Sequence, residues 1–154
     1  MAAFRRMAAI PASYGGYAAL SALAFHPKVF KCGVDISGFS DLAAFLQDAP
    51  PYWAFWRETM VRDIGDPVKD ADFLRSRSPL YSADKIEAPL FIAQGENDPR
   101  VKRSESDQMV EALRKNGKPV EYLLIPDEGH GFEKPEDSLE LLQRIEVFLE
   151  EHLK

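Results

Sequence analysis

The chain has 154 residues, enough for one domain with a real core, and its 45% hydrophobic and 29% charged content is that of an ordinary globular sequence. A formal net charge of −6 argues against nucleic acid and anionic membrane surfaces as partners. No apolar run is long enough to span a membrane, and a single cysteine, Cys32, excludes an internal disulfide and points to a reducing, cytoplasmic setting.

The N-terminal "FRRMAAIPA" carries two arginines and a short apolar stretch, but Pro11 interrupts it too early for a signal peptide. Met7–Ile10 is short and apolar and ends at a proline, which predicts a buried strand. From Tyr14 to Phe25 small and apolar residues recur at helical spacing, with Tyr17, Leu20 and Leu23 or Ala24 on one face, and His26-Pro27 stops the helix. "VFKCGVDIS", Val29–Ser37, is the next strand, and its neighbours make Cys32 a buried, inert thiol. A long connection follows, with helices expected over Ser40–Gln47, Tyr52–Asp63 and Asp70–Arg75. Within it "GDPVKDAD" matches no calcium-loop spacing and reads as a helix cap and solvated turn. "APLFIAQG", Ala88–Gly95, is a third buried strand. Ser104–Asn116 is an amphipathic helix with Met109, Val110 and Leu113 inward and Gly117 as its stop. "PVEYLLIP", Pro119–Pro126, is the fourth strand. Pro135–His152 is the last helix, opened by proline and acidic residues, with Leu141, Leu142, Ile145, Phe148 and Leu149 as its buried stripe. Strands alternating with helices imply a mainly parallel sheet of about four strands with helices on both faces, an α/β fold.

In such sheets chemistry sits in the loops leaving the C-terminal ends of the strands. Three of those loops are informative: Ser13 follows the first strand, Asp98 in "GENDPRV" follows the third, and His130 in "PDEGHGF" follows the fourth. Singly, Ser13 reads as a helix cap, Asp98 as a turn residue and His130 as a loop histidine. Jointly they are a nucleophile, an acid and a base in the chain order of an α/β-hydrolase triad. A serine hydroxyl needs an adjacent base at neutral pH. An imidazole, with an unperturbed pKa of about 6.5, can take that proton and later return it to the leaving group. An aspartate fixes its tautomer and stabilises its cation. Gly15 supplies the small neighbour a sharp strand-to-helix turn needs, and Gly129 and Gly131 leave His130 room. His26 and His152 read as helix-end residues with no partner signal. Nothing points to a metal or a cofactor.

"SYGGYAAL", "RSRSPLYSADKIEAPLFIAQGENDPRV" and "PVEYLLIPDEGHGF" resemble the catalytic domain of the prolyl oligopeptidase family of serine peptidases, close to its acylaminoacyl-peptidase and dipeptidyl-peptidase branches. The resemblance runs from about Arg6 to the end and covers the C-terminal half of that domain, so that residues 1–154 form a single partial domain. It implies Ser13 as nucleophile, Asp98 as orienting acid and His130 as general base. It also implies the Tyr14 backbone N–H as one oxyanion donor, and Arg100 and Val101 facing the substrate, with Arg100 on a substrate carbonyl. Pro11 stands where the family has a small residue, usually glycine. The family's second oxyanion donor and the strands before the elbow belong to its other half.

"APPYWAFW" sets Trp53, Phe55 and Trp56 beside this loop system, either lining a substrate pocket or packing over apolar surface. The reading that follows is a serine hydrolase acting on peptides or small esters. The alternative is an inactive relative serving as an interaction module. In either case the first strand has an exposed edge, which predicts a homo-oligomer joined at or near Ala3–Ile10.

Overall fold

The computed structural model describes residues 8–154. Four parallel strands, β1 (Ala8–Ala9), β2 (Cys32–Ile36), β3 (Leu90–Gly95) and β4 (Val120–Ile125), lie side by side in chain order. The register sets Ala8 beside Cys32, Gly33 beside Leu90, and Leu90 beside Val120. Each crossover is helical, as parallel pairing requires.

Alternation along β3 builds two cores. Leu90 and Ile92 point to one face, where they meet Leu20 and Leu23 of α1 (Tyr14–Phe25) and Met109 and Leu113 of α5 (Arg103–Lys115). Phe91 and Ala93 point to the other, where Leu141, Ile145 and Phe148 of α6 (Pro135–His152) cover them. Both α1 and α6 run over the residues expected of them. One position of the α6 stripe does not: Leu142 is 64% exposed, because residues 141, 145 and 148, with 149 beside them, already span the arc that faces the sheet. Cys32 is fully buried and burial pushes its thiol up, as an inert core thiol requires.

The strands are shorter than the sequence suggests. Val29 closes a turn onto the His26 carbonyl, so β2 starts only at Cys32. Of the expected first strand, Met7 lies outside the described residues, and Ile10 has already left the ladder.

The long connection holds α2 (Leu42–Gln47), α3 (Arg57–Ile64) and α4 (Ala71–Arg77). The single helix expected over Tyr52–Asp63 is a 3-10 turn over Pro51–Trp56 followed by α3. Two consecutive prolines and four large aromatics in "PPYWAFW" disfavour a regular α start. A second 3-10 stretch, Pro79–Lys85, packs under α1 and lacked any periodic signal. Phe39, Leu42, Phe45, Leu74 and Val101 form a third apolar cluster here. The buried Glu105 carboxylate ties the segment leading into α2 to α5, accepting the N–H of Ser40 (2.8 Å) and of Asp41 (2.9 Å). In the acidic stretch Asp66 accepts from Val68 and Lys69, the expected turn, but the expected cap is not formed: Asp70, at the N-cap of α4, accepts from the Asp66 N–H instead of from the helix.

Candidate active site

The turn between β1 and α1 is sharp. Ser13 has φ 57° and ψ −123°, a positive-φ conformation that costs a non-glycine residue energy. Main-chain bonds hold it there: Ser13 N–H donates to Ile36 O at 2.8 Å and Gly15 N–H to Ala12 O at 2.9 Å. Pro11 causes no break, because its carbonyl accepts from Ile36 N–H at 3.4 Å and Ala12 bridges to Ile36. A Cβ on Gly15 would stand 2.6 Å from the Pro11 Cβ, so the small residue is required. Ser13 occupies the N-cap position, yet its side chain caps nothing.

The hydroxyl is directed at His130. Ser13 Oγ lies 2.8 Å from His130 Nε2, and His130 Nδ1 lies 2.7 Å from Asp98 Oδ2. With the imidazole protonated on Nδ1, it donates to the carboxylate and accepts from the serine, the arrangement a general base needs. Three loops leaving β1, β3 and β4 thus converge at one edge of the sheet, as their order suggested.

Asp98 is closely held. Its Oδ1 accepts the N–H of Arg100 (2.8 Å) and of Val101 (3.0 Å), and Gln94 Nε2 donates to Oδ2 at 3.3 Å. Burial works against ionisation, but the His130 hydrogen bond and the Val101 and Arg100 amides outweigh it. The carboxyl is held below its usual range and stays an anion. Gln94 is fixed in turn by Ser106 Oγ, which donates to its Oε1 at 2.9 Å.

Other expected positions divide. Arg100 is exposed beside the acid loop. Val101 does not face a substrate: it is 2% exposed inside the third cluster, and only its amide serves the site. The Tyr14 N–H, next to the serine, has no partner among the described residues. Trp53 is a packing residue at the wall of a cleft. It packs edge-on against Phe45 and, with Tyr14, Phe45, Trp56, Met60 and Ile64, lines an apolar cleft of about 380 Å³. Phe55, at 75% exposure, packs against the Trp56 ring, 5.0 Å between centroids. Gly129 and Gly131 are not needed for room, since a Cβ on either would meet open space.

Sequence reasoning passed over Gln94 and Asp35. The only signal was a polar residue in each of two otherwise apolar strands. Asp35, fully buried on β2, accepts the Gly38 N–H through Oδ1 (2.9 Å) and has no partner for Oδ2 among the described residues. Burial, partly offset by that amide, pushes its carboxyl up to about 7.

The chain's resemblances agree with one another. The sequence pattern of the prolyl oligopeptidase family matches residues 2–154. Dipeptidyl peptidase family member 6 of Caenorhabditis elegans is 49% identical over 150 residues, 96% of this chain and 20% of that protein. Dipeptidyl aminopeptidase BIII of Pseudoxanthomonas mexicana is 50% identical over 146 residues, 94% of this chain and 21% of that protein. The chain therefore spans about a fifth of the length of these relatives. Among solved structures, a Mycobacterium tuberculosis puromycin-hydrolyzing peptidase superposes with a TM-score of 0.88 at 30% identity, covering 95% of this chain and 22% of that one. An acylaminoacyl peptidase bound to Z-Gly-Gly-Phe-chloromethyl ketone superposes with a TM-score of 0.87 at 26% identity, covering 98% of this chain and 24% of that one.

Proposed function

The chain belongs to the prolyl oligopeptidase family, and from that premise we propose that it is a serine-type hydrolase of peptides and small esters. The observation that carries the reading is the continuous relay from Ser13 through His130 to Asp98, with links of 2.8 and 2.7 Å. In the reaction Ser13 Oγ attacks the substrate carbonyl while His130 Nε2 takes its proton. The tetrahedral oxyanion accepts from the Tyr14 N–H. His130 then returns the proton to the leaving amine or alcohol as the C–N or C–O bond breaks, leaving an acyl group on Ser13. Water, deprotonated by His130, releases the acid. Asp98 stabilises the imidazolium of each step and does not itself take the proton.

Arg100 donates to a substrate carbonyl in this reading, the role the family resemblance implies, and its exposure beside the acid loop supports it. The apolar cleft that begins at Tyr14 suits an apolar side chain or acyl group next to the scissile bond. Esters leave with less protonation than amides, so ester cleavage is the more robust of the two activities. A second copy of the chain pairs along the outer edge of β1, which no described strand covers.

The test is hydrolysis of a short p-nitrophenyl ester together with fluorophosphonate labelling. Wild-type protein turns over the ester and is labelled on Ser13. Ser13→Ala loses about 10⁴-fold or more of kcat and all labelling. A wild-type chain that is neither labelled nor active is the non-catalytic module instead.

A further inference from the structure

Glu128 stands two residues before His130 and is 3% exposed, a buried acid for which the reaction has no use. Such a group needs partners, and it has them at both ends. Its carboxylate accepts the Lys134 N–H through Oε1 at 2.9 Å and the Glu133 N–H through Oε2 at 3.1 Å, at the entrance to α6. Its backbone carbonyl accepts the Asn97 N–H at 2.9 Å, one residue before Asp98. One residue thus fastens the His130 loop to the acid loop on one side and to α6 on the other. The rest of the loop is held largely by main-chain contact: its Glu128 and Gly129 carbonyls pack against Gly95 and Phe132 O accepts from Ser138 Oγ, while Asp127 turns through φ 62° and the glycines flanking His130 have open space where side chains would pack.

We propose that Glu128 is a positioning residue for the general base, setting the height and angle at which the His130 ring meets Ser13 and Asp98. The chemistry suits a carboxylate in particular. Two acceptor oxygens take two parallel N–H groups, whereas a glutamine would turn its NH₂ against one of them. The Lys134 amide foremost, with that of Glu133, holds the Glu128 carboxyl below its usual range and so keeps it an anion. The neighbouring Asp137 is pushed the other way, by its own burial first and by Glu128 second. A base displaced by about 1 Å loses on the order of 10²-fold in rate.

The kinetic consequence rests on the hydrolase reading above; the geometric one does not, and the experiment reads both. In the isosteric Glu128→Gln, kcat for the ester falls about tenfold to a hundredfold with KM nearly unchanged, because alignment matters in the transition state and not in binding. Glu128→Ala falls further where it folds. Amide hydrogen exchange supplies the second readout. In Glu128→Gln the amides of Lys134 and also of Asn97, whose own acceptor is untouched, exchange about tenfold faster, while those of β3 and β4 keep their protection. Unchanged exchange at Asn97 together with unchanged kcat overturns the proposal. Faster exchange at Lys134 alone with unchanged kcat also overturns it, leaving a local structural role. A wild-type chain with no turnover sinks the hydrolase reading by itself, and the Asn97 amide then decides the positioning claim.

Discussion

Asp35 shows most plainly what a single residue does beneath this site. Its carboxyl is walled in by Gly16 of α1 and Gly38, with one amide for company. In the unfolded chain it ionises near its ordinary 3.8, and in the fold it keeps its proton to about 7. Between those values the unfolded state binds fewer protons than the native state, so the protein loses stability as pH rises across the window and the loss is complete above it. Asp35→Asn keeps the acceptor for Gly38 and cannot ionise. The two proteins have similar Tm at pH 4, and at pH 8 the asparagine variant is the more stable, by up to roughly 4 kcal/mol; parallel Tm profiles would refute this. Asp35 also marks the limit of what single residues disclose. Ser13, Asp98 and His130 are legible in the sequence because their order and their places after strands are one-dimensional facts. The burial of Asp35, the clasp of Gln94 and the cradle of Glu105 depend on which elements lie against each other, and a polar letter in an apolar strand does not name its partner.

Among the elements, α1 sits unusually close to the end of β2. A Cβ on Gly16 would collide with Asp35 Oδ1 and come within 2.7 Å of the Gly38 Cα, so the two glycine backbones meet directly beside the Asp35 carboxyl. That closeness lets Ile36 O reach the Ser13 amide and hold the strained turn. Gly16→Ala forces the two apart, which we expect to cost about 2 kcal/mol or more in chemical denaturation and to weaken Ser13 labelling as the turn relaxes; an unchanged midpoint would contradict the close fit. Elements with a strong period were legible: α1, α5 and α6 follow their apolar spacing. The 3-10 stretches were not, because their three-residue turns leave no sustained stripe. The exposure of Leu142 has a similar cause. A helix lying on a flat sheet buries a narrower arc than its apolar residues could fill.

For the whole molecule, the order β1-β2-β3-β4 leaves two outer strands, and they differ in kind. β4 belongs to a six-residue ladder with β3, whereas β1 contributes two alanines to its pairing with β2. Residues 3–7 of the segment expected to join copies lie outside the described residues, and Ile10, within them, is 48% exposed. Light scattering at micromolar concentration should give at least twice the chain mass of 17.3 kDa; a monomeric mass would remove the second-copy pairing. The fold class was legible at this scale because parallel strands cannot be joined without crossovers, and the alternation of elements records them. The pairing of the outer edge was not, since edges carry no periodic signature.

The relay has one more consequence, in time. Ser13 and His130 touch across 117 positions of chain. A chain growing from its N-terminus exposes the serine long before β4, the histidine loop and α6 exist to meet it. Until then the hydroxyl has no base and is as inert as any other serine. On the proposed hydrolase reading, reactivity therefore arrives only with the docking of the last strand and helix.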